Sequence, residues 1–498
     1  MESTTKKILR VIATVLFLSL LFGCITTPTA MAAASKVKAT FIKQVVHQPL
    51  RPGFTPIRSI EDLESVEENL SGKYQLMNDL DFSGITEWKP IGGEFWQQFE
   101  GVFDGNGCLI RGINLTYHYL DDLPIILSQP IGIGLFAGTR NAIIENLGIE
   151  EGEISVRVGP YGVRGVVVGA IIGFADEKTT IRNCYNLTNI YLERVTTSEL
   201  GESGAFAGGL VGALRGRECR IEDSFNQGDV RVESQRSHAI AGGVTSSNSG
   251  TILRCYNTGN ISTQMGPSIN SYNFTGGITG GANEGSILDC YNWGEITADS
   301  ASPIIGGISG IGSGVIKNTY NKGLITKIGM GGSAGALVGE VGEGTKVLLQ
   351  NCYYLASTLP AATNPHEQEL ILINVDELQE IDFGWEQNFP GFDFRGVWRV
   401  EPGNAPIFRI RKEIVVEIGF REWKSLSING DLCETKNIDI RSNGGRWEYR
   451  VKGLNSNASA TFLSPDGEIV IVVFQVKITL WQLFMLVFLG GWLWMWFV

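Results

Sequence analysis

A phrase repeated between Gly165 and Leu355 constrains this chain more than any other feature. It runs Cys-Tyr-Asn-x-Gly or a close variant. The copies are Cys184-Tyr185-Asn186, Ser224-Phe225-Asn226-Gln227-Gly228, Cys255-Tyr256-Asn257-Thr258-Gly259, Cys290-Tyr291-Asn292-Trp293-Gly294 and Thr319-Tyr320-Asn321-Lys322-Gly323, and Cys352-Tyr353-Tyr354 closes the series. A partner phrase precedes most copies: Gly208-Gly209-Leu210-Val211-Gly212, Gly242-Gly243-Val244, Gly276-Gly277-Ile278-Thr279-Gly280, Gly306-Gly307-Ile308-Ser309-Gly310 and Gly335-Ala336-Leu337-Val338-Gly339. Successive asparagines stand 40, 31, 35 and 29 residues apart. A period of this size predicts a solenoid, in which each unit buries its apolar face only against its neighbours.

The composition of the repeat selects the kind of solenoid. Ile252-Leu253-Arg254-Cys255-Tyr256-Asn257 and Ile287-Leu288-Asp289-Cys290-Tyr291-Asn292 are short, rich in β-branched and aromatic residues and bounded by glycine. That pattern predicts strands. Glycine every few residues excludes stacked helix pairs, because each internal glycine costs a helix about 1 kcal/mol. The expected fold is all-β: a right-handed parallel β-helix of two or three strands per coil, with an N-terminal capping helix, a small C-terminal β region and a C-terminal hydrophobic segment.

The two phrases resemble the GLUG motif of bacterial surface and secreted proteins. Upstream, Tyr74 to Phe82, Trp88-Lys89-Pro90-Ile91-Gly92 and Phe99 to Gly107 are similar to the segment that usually precedes such repeats. The resemblance covers roughly residues 58 to 410. It implies an exported, pectin-lyase-like β-helix, and it implies no particular activity. Two departures stand out: the first copy, Asn186-Leu187-Thr188, lacks the glycine, and Gly242-Gly243-Val244 runs into Thr245-Ser246.

In chain order, residues 1–34 are expected to be an export signal, with Lys6, Lys7 and Arg10 ahead of an apolar stretch and Ala30-Met31-Ala32 as the cleavage site. Leu21-Phe22-Gly23-Cys24 also resembles a lipobox, which would place a lipid on Cys24. Residues 35–57 read as a linker that includes a short strand. Residues 58–133 hold the upstream segment and N-terminal cap, with a helix from Ser59 to Gly72 whose Leu63, Val66 and Leu70 share one face. Residues 134–370 carry the repeats. Residues 371–411 are expected to close the solenoid end, opening with a short helix from Asn374 through Ile381. Residues 412–470 read as a small β domain. Residues 478–498 are apolar, with Trp481 near one end and Trp492, Trp494 and Trp496 near the other, and are long enough to span a bilayer. A shifted reading frame is the alternative source of such a tail.

A net charge of −12 and no basic stripe count against nucleic acid as a partner. No Cys-x-x-Cys pair, HExxH or phosphate-binding glycine loop occurs, and no metal, cofactor or catalytic residue is assigned. The missing HExxH counts against a metallopeptidase, although immunoglobulin-A-cleaving peptidases of that class can carry similar repeats. Four of the eight cysteines occupy one repeat position. They are expected to form a buried column, with a Cys255–Cys290 disulfide as the alternative. Asn226, Asn257, Asn292 and Asn321 are expected to form a ladder at a turn where asparagine tolerates left-handed backbone. Carboxylates Glu222, Asp223 and Asp289 lie beside these strands, in a column also holding Asn183, Arg254 and Asn318, which is too mixed for a catalytic cluster.

Function is therefore expected in loops. An insertion from Tyr117 to Gln129 carries Tyr117, Tyr119, Asp121 and Asp122, and a second loop carries Tyr272. Aromatics that stack and carboxylates that bind hydroxyls predict a polysaccharide or cell-surface ligand. The expectation is an extracellular, membrane-anchored, non-catalytic adhesion or binding scaffold. The alternative is a carbohydrate-active β-helix enzyme, a lyase or hydrolase.

Overall fold

The computed structural model describes residues 48–477, apart from 86, 94–96, 120–129, 160–164, 196–203, 268–270, 402, 410, 420–423, 427–430, 437, 444–445, 452–457 and 464–468. For 118–119 and the strands within 411–477 it describes backbone alone. The expected export signal, Cys24, the 35–46 strand, Asp121, Asp122 and the apolar 478–498 segment lie outside the described residues. Among those described, no helix is long and apolar enough to cross a membrane.

The chain winds into a right-handed parallel β-helix with three walls. One wall is a seven-stranded parallel sheet that includes Gly165–Gly169, Gly204–Gly208 and His238–Gly242. The second is a pair of three-stranded sheets, Phe136–Arg140 with Ile172–Asp176 and Val211–Leu214, and Thr279–Asn283 with Ser309–Gly312 and Val338–Val341. Between these pieces the Thr245-Ser246 coil contributes isolated bridges at Thr245 and Asn248, and Asn248 Nδ2 donates to Asn283 Oδ1 (2.7 Å). The third wall is the long 23-stranded sheet, which bends at a corner in every coil.

That corner is a column of left-handed residues. Asn146, Asn183, Asp223, Arg254, Asp289, Asn318, Asn351 and Asn374 all have φ between 50° and 57°. Asparagine and aspartate tolerate this region because their short side chains bond locally. Here they bond along the stack: Asn183 Nδ2 to Asn146 Oδ1 (3.2 Å), Asn318 Nδ2 to Asp289 Oδ1 (3.1 Å) and Asn351 Nδ2 to Asn318 Oδ1 (2.9 Å). Arg254 is held there by a bidentate pair with Asp223, both contacts 2.6 Å. The left-handed position is thus three residues ahead of the repeated asparagine, not at it.

The repeated asparagines sit in strands and point inward, fully buried. Each Nδ2 donates to the carbonyl two residues on, and all but that of Asn321 donate also to Oδ1 of the next coil's asparagine. Asn186, Asn226, Asn257, Asn292 and Asn321 are so linked at 2.8–2.9 Å. The two recurring phrases meet inside. A Cβ on Gly209, Gly243, Gly277 or Gly307 would lie 2.3–2.5 Å from Cγ of Asn226, Asn257, Asn292 or Asn321. The second glycine of the pair therefore makes room for the ladder. The flanking coils carry Ala170 and Ala336 there, and beside Ala336 the ladder has already given way to Tyr354. The first copy's Thr188 is also accounted for. Asn186 pairs with Ile149 in the coil above, which offers no amide, and Thr188 donates its own N–H and hydroxyl to Asn186 Oδ1.

The cysteine column is buried and its thiols are free, which excludes the Cys255–Cys290 disulfide. The position takes Cys, Ser or Thr for one reason. Just after the left-handed corner its N–H needs an acceptor, and the next coil's side chain supplies one: Cys184 N to Ser224 Oγ (3.1 Å), Cys255 N to Cys290 Sγ (3.5 Å), Cys290 N to Thr319 Oγ1 (3.3 Å). Burial pushes the Cys184 and Cys352 thiols up to about 12.

Both expected helices are revised. Helix α1 covers only Ile60–Glu64, followed by a 3-10 turn at Ser65–Glu68, and Ser59 caps it by accepting from the Asp62 amide (3.2 Å). Glu61, Asp62, Glu64, Glu67 and Glu68 crowd one sign of charge onto two turns whose last residues include no basic side chain, which disfavours extension. Leu63 and Val66 are nonetheless buried beside Ile57. The predicted helix at Asn374 is instead part of the strand Glu369–Leu378, with Asn374 at the left-handed corner. Residues 380–408, expected at the solenoid end, run back along its side. Phe383, Phe389, Phe392, Trp398 and Phe408 cover the stacked outward rings of Tyr256, Tyr291, Tyr320 and Tyr353. The rings of Tyr185, Phe225, Tyr256, Tyr291 and Tyr320 stack 4.6–5.3 Å apart from coil to coil.

Two outcomes follow. Asn257→Ala strands the Asn226 amide, the Asn292 carbonyl and the Gly259 carbonyl, and should lower stability by roughly 3 kcal/mol in urea unfolding. Alkaline pH should destabilise the fold. The buried thiols ionise later in the native chain than in the unfolded one, so the unfolded state loses protons first. Their contribution is complete below about pH 8.5 and falls as pH rises through about 12. A thermal midpoint that stays flat across that range would contradict it.

Candidate ligand-binding face

The topology gathers the irregular connections at one corner. In every coil the loop between the long sheet's last strand and the seven-stranded sheet is the variable one. These loops run 120–130, 159–164, 195–203, 235–237, 266–272, 300–303 and 329–332. The strand ends that these connections join share an edge, because the strands are in register.

Beside this corner, the seven-stranded sheet turns apolar side chains outward. The register places Val167, Phe206, Ile240, Phe274 and Ile304 in one column. Val167 packs on Phe174 and Ala213 of the adjoining wall, with Phe206 against them. The glycines between the two walls hold them close: a Cβ on Gly208 would lie 2.1 Å from the Val211 carbonyl. The result is an angled apolar strip along the outside of the solenoid. Arg215 closes one end, its guanidinium 4.1 Å over the Phe174 ring and bonded to both Asp176 oxygens.

Tyr272 stands at the loop side of this strip and is 57% exposed. Its ring stacks on His238 (5.1 Å) and on Phe274 (5.2 Å). Its backbone N–H donates to His238 Nδ1 (2.9 Å), so the neutral imidazole carries its proton on Nε2. Burial lowers the His238 pKa, which keeps the imidazole uncharged at neutral pH. Three rings thus lie together as a platform at the surface, with Tyr272 more than half exposed.

Of the other expected binding residues, Asp121 and Asp122 lie outside the described residues, and Tyr117 is not brought to this platform. Tyr117 belongs to the strand Leu109–Tyr119, is 8% exposed and donates its hydroxyl to the Trp88 carbonyl (2.7 Å). It is a core residue, because the alternation of Ile113 and Leu115 continues through it. Tyr119 ends the same strand.

Carboxylates are tied into the frame. Asp223 holds Arg254. Asp289 accepts from Asn318 and from Trp398 Nε1 (3.3 Å), and burial raises its pKa. The pair that sequence reasoning missed is Asp104 and Glu145, buried on neighbouring coils. Arg51 Nη1 bridges them at 3.0 and 2.7 Å, and Arg182 binds Glu145 from the other side. Their equivalence to Arg182 and Glu222 in the repeat register was the signal. Two guanidiniums compensate these charges, which suits structure better than proton transfer. A Ser333–Glu340–His366 group has the carboxylate between the other two (2.8 and 3.5 Å), the wrong order for activating a serine. No group of His, Cys, Asp and Glu suited to a metal occurs among the described residues.

No family model and no curated protein matches this chain. A crystal structure of a candidate immunoglobulin A1 protease from Bacteroides ovatus is similar at a TM-score of 0.43 and 18% identity, over 71% of this chain and 92% of that one. An IgA1 protease structure is similar at 0.41 and 12%, over 85% of this chain and 34% of its own. Likeness of this degree carries no argument about activity.

The platform has a measurable signature. The His238 ring should titrate below the ordinary histidine value near 6.5. Its neutral form supports the stack above that value, and the support is lost as pH falls through its own lower midpoint. An imidazole proton resonance that titrates at or above the ordinary value would contradict the buried, stacked geometry.

Proposed function

We propose that this chain is an exported, surface-attached scaffold that binds a polysaccharide or other cell-surface ligand without turning it over. The GLUG-like residues, the leader-like start and the apolar 478–498 segment, or a lipid on Cys24, support that placement. The observation that carries the binding reading is the Tyr272–His238–Phe274 platform beside an outward apolar strip and a corner of variable loops. Rings with an exposed face bind the apolar faces of sugars, and loops on a rigid frame are where binding residues concentrate. Tyr119, Asp121 and Asp122 lie in or beside the first of these loops and are proposed to extend the same surface.

The enzyme reading rests on Asp104 and Glu145, because glycoside hydrolysis and elimination use carboxylates on neighbouring coils. It would require Arg51 to leave them.

A glycan array followed by pull-down on the retained glycan tests both. Tyr272→Ala should weaken retention about tenfold, the scale of one exposed stacking residue at a binding centre. Asp223→Ala and Asp289→Ala should leave retention within about twofold if folded. Saturable release of reducing or unsaturated ends from uronate or neutral polysaccharides, lost on Asp104→Asn or Glu145→Gln, would replace the binding reading with the enzyme.

A further inference from the structure

The two ends of the solenoid are treated differently. At the start, helix α1 covers the first coil, and Ile57, Leu63 and Val66 are fully buried. At the other end, residues 360–363 bond over the second wall, through Ala336 N to Pro360 O (2.7 Å) and Leu337 N to Ala361 O (3.0 Å). Nothing described covers the long sheet. Its last strand, Glu369–Leu378, pairs along ten residues with Lys346–Leu355 and, among the described residues, with no strand on its other side.

The core runs into this open edge. One inward column reads Phe103, Ile144, Ile181, Ile221, Ile252, Ile287, Ile316 and Leu349, every member fully buried. Its next rung, Leu372, points the same way and is 50% exposed. A strand edge that carries the apolar run Leu370-Ile371-Leu372-Ile373, with no described strand paired to it on that side, is a template for another strand.

We infer that this edge is the interface with a second copy of the chain, joined end to end by antiparallel pairing of the two Glu369–Leu378 strands about Ile371. The self-complementarity of Glu369-Leu370-Ile371-Leu372-Ile373 selects that occupant and register. With the two-fold axis at Ile371, each Leu372 faces the other copy's Leu370. Residues opposite one another in an antiparallel pair share a face, so both leucines fall on the core side and the two interiors become one. Each Glu369 faces the other copy's Ile373, so the carboxylates never meet, and Lys346 already pairs with Glu369. Asp376 and Glu377 of the two copies lie ten residues apart along the joint, beyond the Asn374 corner. A closed two-fold dimer also covers the 369–373 stretch of the edge in both copies, whereas an open head-to-tail stack would pass a free edge on to the next copy.

The test is the mass of the full chain in nonionic detergent micelles, by light scattering corrected for detergent. The wild type should be a dimer at tens of micromolar. Leu372→Asp should raise its dissociation constant at least about tenfold while leaving the far-ultraviolet spectrum unchanged. A short bis-maleimide should link Ile371→Cys chains into a covalent dimer, and Asp376→Cys chains should stay unlinked. A monomeric wild type, a Leu372→Asp dimer as tight as wild type, or linking at Asp376→Cys equal to that at Ile371→Cys would overturn the inference. A monomer whose thermal midpoint falls on Leu372→Asp would show that the chain's own C-terminal region covers the edge, and would overturn it too.

Discussion

The contact between the second glycine of each pair and the ladder asparagine of the same coil holds the rest of this structure in place. A buried amide side chain costs free energy unless every donor and acceptor is met. Here each asparagine meets its own turn and the next coil, but only if it reaches into the interior far enough to touch the opposite corner. Glycine leaves that space beside Asn226, Asn257, Asn292 and Asn321, while Asn186, the first rung of the ladder, stands in the coil that carries Ala170. The two recurring phrases are therefore one device, separated in sequence and joined across the core. The cysteine position and the left-handed corner follow from it, because the turn that aims the asparagine inward leaves a backbone N–H that only a neighbouring hydroxyl or thiol can accept.

With the interior committed to the stack, the three outer walls are free to differ. The Tyr-bearing wall is covered by the returning 380–408 segment, with Tyr320 and Tyr353 donating to the Pro406 and Pro390 carbonyls. The corner column is used up by side-chain ladders. The seven-stranded wall and its loop edge remain, and there aromatics face water. The proposed binding surface is on that side because the other surfaces have structural employment.

Much of this was legible in the sequence. The period, the glycine spacing and the Cys-Tyr-Asn strands predict a parallel β-helix with an asparagine ladder and a buried thiol column. Other features were not legible, for physical reasons. Left-handed backbone was expected at the ladder asparagine, yet it falls on a column of Asn, Asp and Arg254 whose mixed identities hide a shared φ. Asn374 and Glu377 imitate a helix start, and only the register with Asn351 shows another corner. Tyr117 was taken for a loop residue, although strand alternation from Ile113 reaches it. The strap could not be foreseen, because its aromatics bind rings from one to more than four coils' worth of sequence away. Of the expected binding residues, Tyr272 alone is placed with an open ring, and its partner His238 is an isolated histidine whose importance appears only when the coils are stacked.

If glycine pair and asparagine ladder are one locking device, the coil must open as a unit. Native-state hydrogen exchange under rising denaturant, read on peptides covering Gly242-Gly243 and Cys255-Tyr256-Asn257, measures this directly. The account predicts that both segments exchange with the same opening free energy and the same denaturant dependence, and that Asn257→Ala lowers both together. Fast exchange at the glycine pair beside a persistently protected ladder strand would contradict it.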